Sequence, residues 1–352
     1  MSRRLDGGDQ RAEAPAVPAP EQAASVARRV ELPHPLVRVD QPLVLISQAQ
    51  RSGGTLLLRL LDAHPQCLVA PFQLRGLDEA AKRLPTDAEQ AWQALRDPKL
   101  ALRYEQGHRQ RKHDVLDEEQ VFPFELEPQL QRAVYEACVA ELERPSVRDY
   151  FDCYFTSYFN AWLDYWNLAT GPKRWVVGFE PGIARSPSRR AAIGKVYPDG
   201  RVISIVRDPW TWYASARRWE PRWQDRERAL GDWVETTGRV LKWRRQSDKR
   251  SFRLLRFDRL LGETEETMRR VAAWLDLDFV PELLEPTFNG RPIRANSSFA
   301  DVTTGVSRQP LDRARAELGP DDVAYIEQRV GPLYERLLER AERDWVRPWT
   351  PT

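Results

Sequence analysis

The run Pro42-Leu-Val-Leu-Ile-Ser-Gln-Ala-Gln-Arg-Ser-Gly-Gly-Thr-Leu-Leu-Leu-Arg-Leu-Leu-Asp62 limits what this chain can fold into more than any other. Its apolar start, Leu43 to Ile46, predicts a buried strand, and Leu56, Leu57, Leu60 and Leu61 recur at helical spacing. A polar turn separates them. Strand, glycine turn and helix in that order aim backbone N–H groups and the positive helix end at an anion. Gly53 and Gly54 permit backbone conformations closed to other residues, and Thr55 is placed to cap the helix with its hydroxyl. In outline this is a phosphate loop.

The loop of nucleoside triphosphatases needs Gly, four residues, then Gly-Lys-Ser/Thr, with the lysine reaching the terminal phosphates. Laid on Gln48 to Thr55, that template puts Gln48 at the first glycine and Gly54 at the lysine. The nearest cation is Arg51, whose flat guanidinium suits an oxyanion. Taken alone, the run also fits an ordinary strand–helix turn with a solvated arginine. A second run weighs against that reading. Val202 to Val206 is another apolar strand, ending in Arg207; Pro209 then suits the first position of a helix. Ser215 falls about two turns into that helix, so Arg207 and Ser215 could grip one anionic group from two elements.

Four pieces of the chain, in order, resemble the sulfotransferase family. Arg51-Ser-Gly-Gly-Thr-Leu-Leu followed by Leu61-Asp-Ala-His-Pro65 is similar to its 5′-phosphosulfate loop, usually Arg-Ser-Gly-Thr-Thr-Leu-Leu. Val206-Arg-Asp-Pro with Ser215 resembles its 3′-phosphate motif. Leu254 to Leu261, leading into Thr264 to Leu275, is similar to its later strand and helix. Asn289 to Phe299 with Gly305-Val-Ser307 is similar to the loop that closes over the nucleotide in bacterial members. The resemblance spans roughly residues 40 to 310. It implies a three-layer α/β/α fold like that of the P-loop nucleoside-triphosphate hydrolases, with a central, mainly parallel sheet and a helical insertion covering the acceptor side. It also implies transfer of a sulfuryl group from 3′-phosphoadenosine 5′-phosphosulfate (PAPS) to an acceptor, releasing adenosine 3′,5′-bisphosphate (PAP), with no metal. Under that resemblance Arg51, Ser52, Gly53, Gly54 and Thr55 hold the 5′-phosphosulfate, Arg207 and Ser215 hold the 3′-phosphate, and Arg291 and Arg308 add contacts from the closing loop. Hydroxyls or amines of a carbohydrate, lipid headgroup, peptide or small molecule are all open as acceptors.

Apolar strands alternating with helical segments along the rest of the chain independently argue for a parallel sheet covered on both faces. Residues 1–35, rich in Ala, Pro, Gln and charge, read as a disordered tail, 36–350 as one domain, and about 77–170 as its helical insertion. Within the insertion, Phe151, Phe155, Phe159, Trp162 and Trp166 share a helical stripe that reads as core. Tyr150, Tyr154, Tyr158 and Tyr165 flank it as candidates for acceptor contact. The chain carries 54 basic and 52 acidic residues, a net charge of +2, so nothing demands nucleic acid and anion binding must be local. Cys67, Cys138 and Cys153 share no Cys-x-x-Cys spacing and read as buried thiols in a reducing compartment. No apolar run approaches the ~18 residues of a membrane span, and no signal-like segment precedes the first strand, so the cytoplasm is expected.

The acceptor must also lose a proton to a base within hydrogen-bond reach. Many relatives place an acidic residue or histidine near the end of the second strand, where this chain reads Ala70-Pro-Phe-Gln-Leu74. The candidates are Glu180 at the end of the third strand, which we favour, and His64, His108 and His113, of which His64 sits in a turn and reads as structural. Two rival functions follow from these departures. A P-loop phosphotransferase would need the missing loop lysine, and a non-catalytic nucleotide-, anion- or glycan-binding protein would need no base.

Overall fold

A computed structural model of the chain describes residues 32, 36–74, 77–83, 85–96, 124–293 and 305–345. All of these belong to the unit 32–352 of the two into which the chain divides. The tail expected at 1–35, apart from Leu32, and the candidate bases His108 and His113 lie outside the described residues. Five strands, β1 (Leu43–Ile46), β2 (Cys67–Gln73), β3 (Trp175–Phe179), β4 (Arg201–Val206) and β5 (Phe252–Arg256), form one sheet in the order β2-β3-β1-β4-β5. Every neighbouring pair is parallel. β2 runs three residues past the apolar segment Cys67–Ala70, through Pro71, which has no N–H to give a ladder. The strand tolerates it at the sheet edge, where the register with β3 shifts between Val69 and Gln73.

Helices cover both faces, as continuous apolar strands require. On one face Leu57, Leu58, Leu60 and Leu61 of α1 (Gly54–Asp62) pack with Met268, Val271 and Leu275 of the helix Thr264–Leu275 against Val44, Ile46 and Ile203. On the other, Trp212, Trp233 and Val330 of the helices Pro209–Trp219, Arg226–Gln246 and Pro320–Trp345 pack with Phe252 and Leu254. The chain leaves β1 toward one edge of the sheet and leaves β4 toward the other. That divergence opens a crevice at the carboxyl ends of these adjacent strands, the place where open α/β sheets bind ligands. Among the described residues no helix is long and apolar enough to cross a membrane.

Several local expectations need correction. The apolar residues Leu277 to Leu284, whose spacing also suggests a short helix, do not form one. Asp276 turns left-handed (φ 60°) to stop the preceding helix, and only Pro281–Leu284 forms a 3-10 turn. The aromatic stripe is core, with Phe151, Phe155, Phe159 and Trp162 at most 2% exposed, but its helix ends at Ala161. There an antiparallel bridge between Leu126 and Trp162 pulls the chain into extended form, and Trp166 leaves the stripe at 38% exposure. The four flanking tyrosines are buried as well. Cys138 and Cys153 are not thiols but a disulfide joining the helices Pro128–Ala140 and Val147–Ala161, whose antiparallel packing brings the two Cα atoms to 5.5 Å. A pairing across a helical hairpin has no short-range spacing to betray it. Cys67 is the buried free cysteine that was expected.

The C-terminal helix closes the open edge of β5. Asp344 accepts the Leu254 N–H (2.8 Å), and Trp345 Nε1 donates to the Leu254 carbonyl (2.6 Å). The same carboxylate takes Nε and Nη2 of Arg244, and both side chains of this pair are 2% exposed. Asp344→Ala therefore strands a buried guanidinium and an edge N–H. We expect a loss of about 3–5 kcal/mol, measured by chemical denaturation, against less than about 1 kcal/mol for exposed pairs such as Arg269–Glu265.

Candidate active site

β1 delivers the loop Ser47–Gly53 to the crevice, and neighbouring strands fix its entry. Ser47 N–H donates to the Ile203 carbonyl of β4 (3.0 Å), while its hydroxyl donates to the Glu180 carbonyl (2.7 Å) and accepts the Ala184 N–H (2.9 Å). The turn itself takes two left-handed residues, Arg51 (φ 66°) and Gly53 (φ 98°). α1 then starts at Gly54 with Gly53 as its cap, and no side chain caps it, so the expected cap by Thr55 does not form. The first intrahelical bond runs from Leu57 N–H to the Gly53 carbonyl (3.2 Å), which leaves the N–H groups of Gly54, Thr55 and Leu56 ahead of it. Uncapped N–H groups at a helix start are donors for an anion.

Both glycines are dictated by space. A Cβ on Gly53 would drive into the Phe257 ring, and one on Gly54 would strike the Gln48 amide and the Phe179 ring. The two departures from the triphosphatase template, at positions 48 and 54, are therefore one feature: the Gln48 side chain fills the room that a larger residue at 54 would use. A double-mutant cycle tests this. Gly54→Ala should lower stability, and adding Gln48→Ala should recover part of the loss, with a coupling of about 0.5–3 kcal/mol measured by chemical denaturation.

The helix Pro209–Trp219 grips the loop from the β4 side. Arg207 Nη1 donates to the Arg51 carbonyl (2.8 Å), its Nε to Thr211 Oγ1 (3.1 Å) and its Nη2 to the Thr211 carbonyl (2.8 Å). Trp212 Nε1 donates to the Gln50 carbonyl (2.7 Å). Each arginine also rests on a ring, Arg51 over Trp219 (4.8 Å) and Arg207 over Phe257 (5.1 Å). Burial pushes both guanidinium groups down, Arg207 to about 10, where Asp208 opposes the shift and the charge of Arg51 adds to it. Both keep their charge at neutral pH. Asp208 is occupied as the helix cap, accepting the N–H (2.8 Å) and hydroxyl of Thr211. The buried Arg207 and half-buried Arg51, with uncapped N–H groups beside them, form a cradle for a multiply charged anion.

Ser215, 2% exposed, lies one turn beyond Thr211 and so on the same face of the helix. Glu180 ends β3 beside the loop, 9% exposed, and caps the helix Pro181–Arg185 through the Gly182 N–H (2.8 Å). Arg291 stands exposed on the hairpin Thr287–Phe288/Arg291–Pro292, which is anchored through Asp62 at the end of α1 remote from the loop. Arg308 is exposed and lies against Gly262. Nothing in the sequence singled out Trp212, Trp219 or Phe257. Of the supporting set, only the Asp208-x-x-Thr211 capping spacing carried a readable signal.

His64 is structural. Its Nδ1 accepts the Gln66 N–H (3.1 Å), so Nε2 carries the proton donated to the Asp278 carbonyl (2.8 Å). Burial lowers its pKa below the ordinary 6.5, while the Asp278 carbonyl, Asp278 and Glu282 oppose the shift and Lys173 assists it. A depressed value means that the stability this residue contributes is complete above about pH 6.5. It is lost as pH falls through the folded-state value. The melting temperature should drop between pH 7 and 5 more steeply in wild type than in His64→Gln.

A parallel β2-β3-β1-β4-β5 sheet with an anion cradle at its β1/β4 crevice defines a P-loop-like α/β protein. The sequence profile of the sulfotransferase family matches residues 42–281, more than half of the chain, and the chain belongs to that family. Membership supports sulfotransfer as its general activity. Among solved structures, the chain is similar to a sulfotransferase domain from the curacin biosynthetic pathway (16% identity, 84% of this chain and 98% of that one, TM-score 0.49). It is likewise similar to the sulfotransferase domain of a Synechococcus olefin synthase (16%, 85% and 98%, 0.48). A third is sulfotransferase STF1 from Mycobacterium tuberculosis (19%, 84% and 78%, 0.40). No curated protein matches the chain significantly.

Proposed function

We propose that the protein transfers the sulfuryl group of PAPS to a hydroxyl or amine of its acceptor and releases PAP. The observation that supports this reading is the 2.8 Å bond from Arg207 to the Arg51 carbonyl, which brings Arg207 against the turn that carries Arg51. PAPS presents two anionic ends. The loop N–H groups and Arg51 take the 5′-phosphosulfate, and Arg207 with Ser215 takes the 3′-phosphate. The acceptor oxygen attacks sulfur in line, the bond from sulfur to the bridging oxygen breaks, and the electrons pass to the 5′-phosphate of PAP. Arg51 stabilises that departing charge, as fixed cations do for phosphoryl groups. Glu180, one strand from the loop, takes the acceptor proton. Arg291 and Arg308 are assigned to closure over the nucleotide.

A non-catalytic nucleotide binder is the second reading, favoured by the lack of a titratable side chain on Ala70–Leu74 and by the use of Glu180 as a helix cap. A phosphotransferase is disfavoured by Gly54 at the lysine position. Thermal shift separates the readings, because a ligand stabilises by mass action. PAP should raise the melting temperature, with 5′-AMP and ATP doing little. Arg207→Ala should abolish that shift. Arg51→Ala should keep most of it while lowering turnover of labelled PAPS by about 10²–10³-fold. Binding of PAP with no turnover on any acceptor would select the second reading.

A further inference from the structure

We infer that the protein holds a small aromatic carboxylate in a second site, at the amino ends of β1, β4 and β5. That is the opposite end of the sheet from the loop Ser47–Gly53, and the site is independent of the sulfotransfer reading. A cavity of about 180 Å³ opens there, between the sheet and the helices Pro187–Val196 and Arg226–Gln246. Side chains alternate along a strand, so while Val44 and Ile46 of β1 pack with α1, Leu43 and Leu45 point to the other face. With Phe252 of β5 they line the cavity, and all three are at most 2% exposed. The covering helix presents Ile193 and then Gly194, where an added Cβ would meet nothing within 4 Å. A gap therefore remains where a side chain would have closed the packing. Cavities of about 150 Å³ with aliphatic and aromatic walls take up a benzene ring, so this one has room for a ring of that size.

Charge on the wall selects the rest of the ligand. Arg190, half-buried, lies over the Trp243 ring (5.0 Å) and gives Nη1 to the Arg239 carbonyl (3.0 Å). Among the described residues it pairs with no carboxylate, and no Asp or Glu belongs to the wall. Arg239 itself is paired with Glu235. Burial and the like charge of Arg239 push the Arg190 pKa down, and the guanidinium keeps its charge at neutral pH. Arg201, the other cation of the wall, carries its guanidinium away to the Trp175 and Trp274 rings (4.8 and 5.5 Å), which pack on the opposite face of the sheet. One cation beside an apolar slot suits a monoanion whose body enters the slot while its charge stays at the mouth. A carboxylate matches the two-pronged guanidinium. Trp243, set edge-on to Phe252 (4.6 Å), extends the aromatic wall and favours a flat ring. A sugar or a nucleotide would bring polar groups that this wall leaves without partners.

The test titrates the full chain with benzoate by calorimetry, in the presence of excess PAP so that the crevice is occupied. We expect a Kd of about 1 mM, with acetate, benzyl alcohol and benzylammonium weaker by about tenfold or more. Arg190→Gln removes the charge, and Gly194→Leu puts a side chain into the open space while giving the helix a better former. Each should weaken benzoate by about tenfold or more and leave the PAP thermal shift at its wild-type value. Should one variant fail to fold, the other carries the test. Benzylammonium or acetate binding as well as benzoate overturns the inference. So does wild-type affinity for benzoate in a folded variant, or displacement of benzoate by PAP, which would put it in the crevice.

Discussion

Arg207 stands against the turn that carries Arg51 at the rim of a parallel sheet, and hydrogen bonds to backbone carbonyls hold it there. Arg207 spends its donors on the Arg51 carbonyl and on Thr211, rests on Phe257, and lies almost wholly out of water. Phe257 in turn presses on Gly53, so the ring that supports one arginine also shapes the turn carrying the other. Asp208, the neighbouring carboxylate, is diverted to the cap of the following helix. The buried guanidinium of Arg207 thus brings positive charge to the crevice.

The strand order supplies the geometry for this arrangement. β1 and β4 are neighbours whose chains depart in opposite directions, which is why residues 156 positions apart in sequence touch across the crevice. Apolar carbon fills one side of the edge and charge the other, with Glu180 between them.

Much of this was legible in the residues. Strand periodicity and Pro209 located β1, β4 and the helix that follows, and Arg51 and Arg207 stood out because each ends or follows an apolar strand. The link between Gln48 and Gly54 was not legible, because it depends on a side chain folding back over six residues. Nor was the Cys138–Cys153 bridge, which arises from the register of two packed helices. Trp212 and Trp219 were hidden by abundance, since a chain with 13 tryptophans gives no cue as to which indole reaches a loop carbonyl or a guanidinium. The tyrosines beside the aromatic stripe looked like surface groups only while the helix was drawn in isolation.

The last turn of the C-terminal helix does more than pack. By occupying both backbone groups of Leu254 it seals the flank where the sheet would otherwise continue. A chain clipped ahead of position 344 would leave the N–H and carbonyl of Leu254 open at that edge. Trimming of that terminus would thus cost the sheet the guard on its outer strand at this one position.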